Sequence, residues 1–219
     1  MKIDVIILSN MANIEYYKLL EECINSIKNN DINTNIIVVE TNNKLKNKDI
    51  PLVGVDFIFP DEPFNYNKYI NIGLARTKES IVLISNNDII YNKSCIDTLC
   101  DSLNQYDSVS PLDKNNKRHS TITETIEGDS VGMHVTGYSI CLKRKVLDAI
   151  GQFDERFKFW FQDNDYCELL RKHNFKHALI HNAVCFHYGE KSHRLLSPDV
   201  RYEYTMGLES ILNEKWKAL

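Results

Sequence analysis

The stretch covering residues 80–91 constrains the fold most, because a wholly apolar run ends there in a polar cluster. Residues 81–84 contain no polar side chain, which predicts a strand buried on both faces, as in a parallel sheet. The run ends at Ser85-Asn86-Asn87-Asp88. Ligands of open α/β sheets bind beyond the carboxyl ends of the strands, so we expect Asp88 to lie beside a ligand.

Two interpretations of the Asn-Asn-Asp cluster compete. A carboxylate flanked by amide oxygens suits a hard divalent cation that carries phosphate oxygens. The same residue types also favour turns, because their side chains bond to the nearby backbone. The cluster alone supports both interpretations equally, so the rest of the chain has to decide between them.

The first 107 residues alternate strands and helices. Apolar runs predict strands over residues 4–9, 35–40, 55–59 and 81–84. Helical spacing predicts helices over residues 14–28 and 65–77, and a third helix capped by Ser94. This alternation predicts an α/β fold with a Rossmann-like, mostly parallel sheet flanked by helices. Glu40 is the last residue of one predicted strand, and Asp88 follows the end of another. Both should therefore lie at the carboxyl edge of the sheet.

The second half of the chain is less regular. Residues 108–139 are polar and rich in glycine, which predicts a long irregular segment of functional importance or disorder. Apolar runs predict further strands over residues 138–142, 177–181 and 183–188. Helices are predicted over residues 144–150 and 199–217. No linker or repeat divides the sequence, so we expect one domain over residues 1–219.

A stretch dense in aromatic residues, 151–166, delivers Asp163 and Asp165 to the start of a predicted helix. Aromatic side chains would line a partly dry pocket, and burial there raises the pKa of a carboxyl group and suits it to accept a proton. Acidic residues in a first helical turn also interact favourably with the helix dipole, so a purely structural role is the alternative.

Composition excludes several classes of function. A net charge of −4 and a pI near 6.0 give no electrostatic basis for general nucleic-acid binding. The six cysteines form no Cys-x-x-Cys pair, which is typical of reduced, buried thiols in a cytoplasmic protein. No signal peptide or membrane-spanning run is predicted, so we expect a soluble protein. The Asn- and Lys-rich composition fits a bacterial or a viral source equally.

Four motifs between Val5 and about Ser192 resemble family 2 glycosyltransferases with the GT-A fold, especially the rhamnosyltransferase-like members. In chain order they are Asn71-x-Gly73 with Asn86-Asn87-Asp88, then Thr136-Gly137-Tyr138, then Gly151-x-Phe153-Asp154-Glu155 with Gln162-Asp163-x-Asp165, and last His187, Gly189 and Ser192. Each motif alone is weak, whereas four in the family's order make a specific resemblance.

The resemblance implies transfer of a sugar, with inversion, from a UDP- or dTDP-sugar to an acceptor hydroxyl. It implies a nucleotide-sugar half (residues 1–107), an acceptor and catalytic half (108–197) and a C-terminal helix (198–217). Asp163 would be the general base, and Asp88 and His187 would hold Mn²⁺ or Mg²⁺. The nucleotide sugar would contact Ser9, Asn10, Glu40, Asn71, Asn86 and Asn87. The acceptor side would comprise Gly137, Trp160, Gln162 and Asp165.

Two positions depart from the family pattern, since Asn86 and Gln162 stand where acidic residues are usual. Two alternatives therefore stay open. One is a retaining transferase or a nucleotidyltransferase of the same fold, and the other is a sugar-nucleotide or glycan-binding module without turnover. The acceptor could be a glycan, a lipid-linked sugar, a protein or another hydroxyl compound, and the sequence is also compatible with a homodimer.

Overall fold

The structure is a computed structural model that describes residues 1–189 and 207–217 of the 219-residue chain. The described strands are β1 (Lys2–Ser9), β2 (Asn33–Glu40), β3 (Val55–Ile58), β4 (Ile81–Asn86), β5 (Ile89–Tyr91), β6 (Ser108–Asp113), β7 (Ile126–Glu127), β8 (Ser139–Lys143) and β9 (His177–His187). The described helices are α1 (Ile14–Lys28), α2 (Tyr66–Leu74), α3 (Cys95–Ser102), α4 (Arg144–Ile150), α5 (Gln162–Lys172) and α6 (Leu208–Trp216).

All these strands belong to one sheet, in the order β3-β2-β1-β4-β8-β6-β9-β5, with β7 paired to β9. Strands β1 to β4 run parallel, β8 reverses direction, and β6 and β9 return to the first direction. The short strands β5 and β7 pair antiparallel with β9. The sheet is thus mostly parallel and flanked by helices, which confirms the predicted fold class.

Apolar residues fill layers on both faces of the sheet. On β1, Ile3, Val5 and Ile7 belong to one core cluster, which also contains buried residues of α1 and α3. Ile6 and Leu8 belong to a second cluster, with buried residues of α2, α4 and α5. Successive side chains of a strand point to opposite faces, so a strand covered on both sides needs an uninterrupted apolar run. This explains why β1 and β4 were predictable.

The prediction of an irregular segment over residues 108–139 was wrong at its start, because β6 lies there and all six of its residues are buried. Its polar side chains are satisfied internally. Tyr166 donates to Ser108 Oγ at 2.7 Å, and Ser110 Oγ donates to the carbonyl of Ser139 at 3.1 Å. Buried polar groups are tolerated when they are hydrogen-bonded, and they hide the strand from a search for apolar runs.

Strand β9, the start of α3 and the last helix differ from their predictions. The two predicted strands near the C-terminus form one strand, β9, whose register against β6 shifts between Pro111 and Leu112, as at a bulge. Ser94 adopts a left-handed conformation, φ 63°, and in the described structure its side chain does not cap α3. The predicted last helix is described only over α6, so its start at residue 199, like the motif residue Ser192, lies outside the described residues.

All six cysteines lie within residues 1–189, and each is buried with a free thiol. In the two described ranges no helix is both long enough and apolar enough to cross a bilayer.

A buried histidine makes the stability of the fold pH-dependent. His177 Nε2 lies 3.0 Å from the carbonyl oxygen of His134, to which it donates, and Nδ1 lies 2.9 Å from Ser108 Oγ. Burial lowers the pKa of His177 from 6.5 to about 4. Between pH 6.5 and 4, His177 therefore binds a proton in the unfolded chain but not in the native protein. The free energy of unfolding falls as the pH drops through this range.

In the wild type, His177 should lower the unfolding free energy by up to about 3 kcal/mol on acidification. The variant His177→Gln should lack this decrease. Urea unfolding at pH 7 and pH 4.5 measures it. The control variant is His173→Gln, which changes a half-buried histidine at the end of α5 and should keep the wild-type dependence. An equal pH dependence in the His177 variant and the wild type would show that the ring does not carry the effect.

Candidate active site

The cluster Asn86-Asn87-Asp88 is both a turn and a site. Asn87 and Asp88 form the turn that leads from β4 into β5. Because β5 pairs antiparallel with β9, Ile89 stands opposite His187, and the amide of Tyr188 donates to the carbonyl of Asp88 at 3.0 Å. This pairing brings Asp88 Oδ1 within 3.2 Å of His187 Nε2. The sheet therefore joins two predicted metal ligands that are 99 positions apart in the sequence.

The Asp88 and His187 side chains are close to each other but do not form a hydrogen bond. Asp88 Oδ1 is enclosed and has no hydrogen-bond partner within the described residues, although the imidazole is close. A carboxylate oxygen and an imidazole nitrogen are both ligand types that a divalent transition metal accepts. Within residues 1–189 and 207–217 no group of three or more His, Cys, Asp or Glu is placed to hold a metal. A cation here would need further ligands from substrate or water.

His187 is oriented by its neighbours. The ring of Tyr138 stacks on the imidazole with centroids 4.0 Å apart, and the Tyr138 hydroxyl donates to Asp113 Oδ2 at 3.0 Å. The other oxygen of Asp113 accepts from the backbone amide of His187 at 3.1 Å. Contacts of this kind fix the orientation of a ligand ring. Asp113 was not among the predicted site residues, because it ends the unpredicted strand β6.

Asp163 lies in the first turn of α5, against Gly137. A Cβ atom on Gly137 would stand 3.0 Å from Asp163 Cβ and 3.1 Å from Oδ2, so a larger residue at this position would push the Asp163 side chain by a few tenths of an ångström. The amide of Asn164 donates to Asp163 Oδ1 at 3.0 Å. Burial raises the pKa of Asp163, and the backbone amides offset part of that increase. A carboxyl group in such surroundings is suited to accept a proton.

Tyr66, the first residue of α2, connects the two halves of the site. Its hydroxyl donates to the carbonyl of Gly137 at 2.9 Å and lies 3.4 Å from Asn86 Oδ1. Burial raises the pKa of Tyr66, and the charges of Asp163 and Asp88 raise it further. Tyr66 and Asp163 line the same pocket, and Asn86 leads into the turn that carries Asp88. The sequence placed Tyr66 only within a predicted helix, because helical spacing does not distinguish tyrosine from phenylalanine.

A small pocket, with room for about one water molecule, opens beside Asp163, between α2, β4, β8 and α5. Its walls are mainly apolar, but Asn67 and Gln162 also line it. Asn67 Oδ1 and Gln162 Oε1 are buried and lack hydrogen-bond partners in the described part of the chain. Two amide oxygens beside a carboxylate can accept hydrogen bonds from hydroxyl groups. Gln162 thus occupies a place that fits its predicted role on the acceptor side.

Predicted nucleoside contacts lie at the neighbouring strand ends. Ser9 pairs with Glu40, and Asn10 follows at the same edge. Glu40 is fully buried, and its Oε1 accepts from the amides of Met11 at 2.9 Å and Asn42 at 2.7 Å. Glu40 Oε2 and Ser9 Oγ have no hydrogen-bond partner among the described residues. Since β1 lies between β2 and β4, these groups share the carboxyl edge with Asp88.

The structure gives two predicted site residues other roles. Asn71 Oδ1 accepts from the amide of Phe153 and Nδ2 donates to its carbonyl, both at 2.9 Å, so this side chain anchors the loop before α5. Asp165 is fully buried and bonded to Lys215 and Trp216 of α6. We therefore assign neither residue to substrate. Their partners are too distant in sequence for a motif to reveal.

Two more predicted residues lie at the surface of the site. Trp160 is 37% exposed and packs edge to face on Phe159, with ring centroids 5.4 Å apart. Asn87 is half-buried in the turn beside Asp88. Trp160 therefore presents part of its ring to solvent, as stacking on a sugar would require.

No protein-family model and no curated protein matches the sequence. Solved structures do. S. aureus TarS has a TM-score of 0.66 and 18% identity, covering 93% of this chain and 38% of TarS. The mannosyltransferase PcManGT from Pyrobaculum calidifontis, in complex with GDP-Man and Mn²⁺, has a TM-score of 0.66 and 15% identity, covering 86% of this chain and 57% of PcManGT. The chain spans less than two thirds of either neighbour, and it has the GT-A fold of glycosyltransferases.

Proposed function

We propose that this protein is a metal-dependent glycosyltransferase of family 2 that transfers a sugar from a UDP- or dTDP-sugar to an acceptor hydroxyl, with inversion. The observation that carries the proposal is the pair of Asp88 and His187, whose Oδ1 and Nε2 atoms lie 3.2 Å apart. Tyr66 links this pair to Asp163, because its hydroxyl lies 3.4 Å from Asn86 Oδ1, at the end of the same strand, and bonds to Gly137, which lies against Asp163. The shared fold with a mannosyltransferase in complex with GDP-Man and Mn²⁺ adds support.

Asp88 and His187 are the residues that would hold the cation, Mn²⁺ or Mg²⁺. When bound, the ion neutralises charge that develops on the leaving diphosphate. Two protein ligands suffice for such an ion, because substrate phosphates and water complete its coordination in many phosphate-transferring sites. Asp113 and Tyr138 keep the imidazole of His187 in place for this task.

Asp163 takes the proton. One of its oxygens is engaged by the amide of Asn164, which leaves Oδ2 for the acceptor. The acceptor oxygen attacks the anomeric carbon, the bond from that carbon to the diphosphate oxygen breaks, and the nucleoside diphosphate departs with the bonding electrons. The hydroxyl proton moves to Asp163. Attack from the face opposite the leaving group inverts the anomeric configuration.

Glu40 supports a uridine or thymidine donor. A carboxylate oxygen only accepts hydrogen bonds, and the N3–H group of uracil or thymine can donate one. Ser9 and Asn10 lie beside it for the rest of the nucleoside, and Asn86 and Asn87 lie next to the place we assign to the diphosphate. On the other side, Gly137, Gln162 and Trp160 would face the acceptor hydroxyl.

A thermal-shift experiment with UDP-glucose, dTDP-rhamnose and GDP-mannose, each with Mn²⁺ or with EDTA, tests the proposal. A ligand at 100 times its Kd adds about 2.7 kcal/mol to the unfolding free energy. For a protein of this size that raises Tm by about 5–10 °C. We expect this rise only with Mn²⁺, and for a uridine or thymidine donor. Glucose 1-phosphate, which lacks the nucleoside, is the control.

The absence of a Tm rise with all three donors, or an equal rise in EDTA, would contradict metal-dependent donor binding. A binding module without turnover would show the rise in Tm and yet release no free sugar from the bound donor. Measurement of free sugar in the same samples separates these two functions.

A further inference from the structure

Helix α5, which carries Asp163, begins without a side-chain cap. Phe161, which precedes α5, adopts a left-handed conformation with φ 63°, and its side chain offers no polar atom to cap the free amides. A bulky residue in this conformation is strained, and such strain persists only where surrounding contacts fix it. The start of α5 therefore depends on groups outside the helix.

Helix α6 supplies those groups. Lys215 Nζ lies 2.8 Å from Asp165 Oδ1 and 3.0 Å from Oδ2, and Trp216 Nε1 donates to Oδ1 at 2.8 Å. The Asp165 side chain is 1% exposed, so its charge is enclosed together with that of the lysine. Burial raises the pKa of Asp165, and Lys215 and Trp216 counteract the increase. Asp165 is two residues from Asp163, in the same helical turn.

The same lysine also holds the loop before α5. Lys215 Nζ lies 3.0 Å from Asp154 Oδ2, and the backbone carbonyl of Asp154 accepts from Asn67 Nδ2 at 2.8 Å. Asn67 follows Tyr66 on α2 and lines the pocket beside Asp163. One ammonium group thus joins the loop, the first turn of α5 and the start of α2.

We propose that Lys215 is a positioning residue, which keeps Asp163 in the geometry needed for proton transfer by holding Asp165 and Asp154. The inference rests on the proposed function of Asp163. Loss of the lysine leaves Asp165 as a buried carboxylate with its counter-charge removed, so the first turn has to shift to solvate it. Donor contacts on β1, β2 and β4 do not involve α6 and should be unaffected.

The experiment measures Mn²⁺-dependent hydrolysis of UDP-glucose and dTDP-rhamnose by full-length Lys215→Met. Because displacement of a reacting group by about 1 Å can cost about 10²-fold in rate, we expect kcat to fall by about 10- to 100-fold, with the donor KM unchanged. Lys215→Arg keeps both ion pairs and should retain most of kcat. Lys176→Met is the matched control, since the Lys176 side chain is 62% exposed, lies 3.8 Å from Glu127 and should not affect kcat.

An unchanged kcat in Lys215→Met overturns the inference. If Asp163→Asn is inactive in the same assay, the proposed function stands and only the role of Lys215 fails. If Asp163→Asn is fully active, the proposed function itself fails. Should Lys215→Met melt below the assay temperature, Asp165→Asn replaces it, because it keeps the shape of the side chain but removes the charge that Lys215 pairs with. A lower kcat with an unchanged KM supports the inference, and a wild-type kcat overturns it.

Discussion

Asp163→Asn should lower the rate of sugar transfer or donor hydrolysis by about 10²–10⁴-fold, the usual contribution of a general base. Donor affinity should stay at the wild-type value, because an asparagine keeps the shape of the side chain and Asp163 does not lie at the strand ends assigned to the nucleoside. Release of nucleoside diphosphate measures the rate, and calorimetric titration with the donor measures the affinity.

The pH profile adds a second sign of the base. Burial raises the pKa of Asp163, so the wild-type kcat should rise with pH through a value above the ordinary range of aspartate. The kcat of Asp163→Asn should not show this rise with pH. Asp148→Asn, an exposed change on α4, is the control and should keep the wild-type rate and profile. Loss of donor binding in Asp163→Asn, with normal turnover of the donor that does bind, would refute the assignment.

Asp88→Asn should weaken Mn²⁺ binding in the presence of the nucleoside diphosphate by at least about 100-fold. Changes to the outer partners of a metal ligand already cost 10- to 100-fold in affinity. Loss of one of two protein ligands should cost no less, because an amide oxygen is a weaker ligand than a carboxylate. The free-ion signal of Mn²⁺ in electron paramagnetic resonance measures the affinity directly.

The matched control for this experiment is Asp101→Asn, which changes an exposed carboxylate on α3 and should leave Mn²⁺ affinity as in the wild type. Donor hydrolysis by Asp88→Asn should fall in parallel with its Mn²⁺ affinity. Wild-type affinity in Asp88→Asn would mean that the cation binds elsewhere and that the pair with His187 is an ordinary ion pair.

The fold was predictable wherever burial follows a simple period. Strands β1, β2 and β4 are covered on both faces over residues 5–8, 36–39 and 81–84, so each contains an uninterrupted apolar run there. Helix α1 repeats buried residues at helical spacing. Strand β6 was not predictable in this way. Its buried serines and Asp113 are bonded to partners from other strands and helices, which a local pattern cannot contain.

The site was predictable at strand ends and not beyond them. Motif order correctly suggested that Asp88 and His187 meet, because sheet pairing fixes such positions. It did not indicate the structural contacts of Asn71 and Asp165, which bond to Phe153 and to Lys215, 82 and 50 positions away. It could not find Tyr66, because that residue type is equally common in apolar cores.

Crystals soaked with MnCl₂ and UDP test the central claim most directly, through the anomalous scattering of manganese. A single site is predicted, with one strong peak within coordinating distance of Asp88 Oδ1 and His187 Nε2, and with the uracil ring beside Glu40. A strong manganese peak on other residues, or UDP bound away from the edge formed by β1, β2 and β4, would contradict the account.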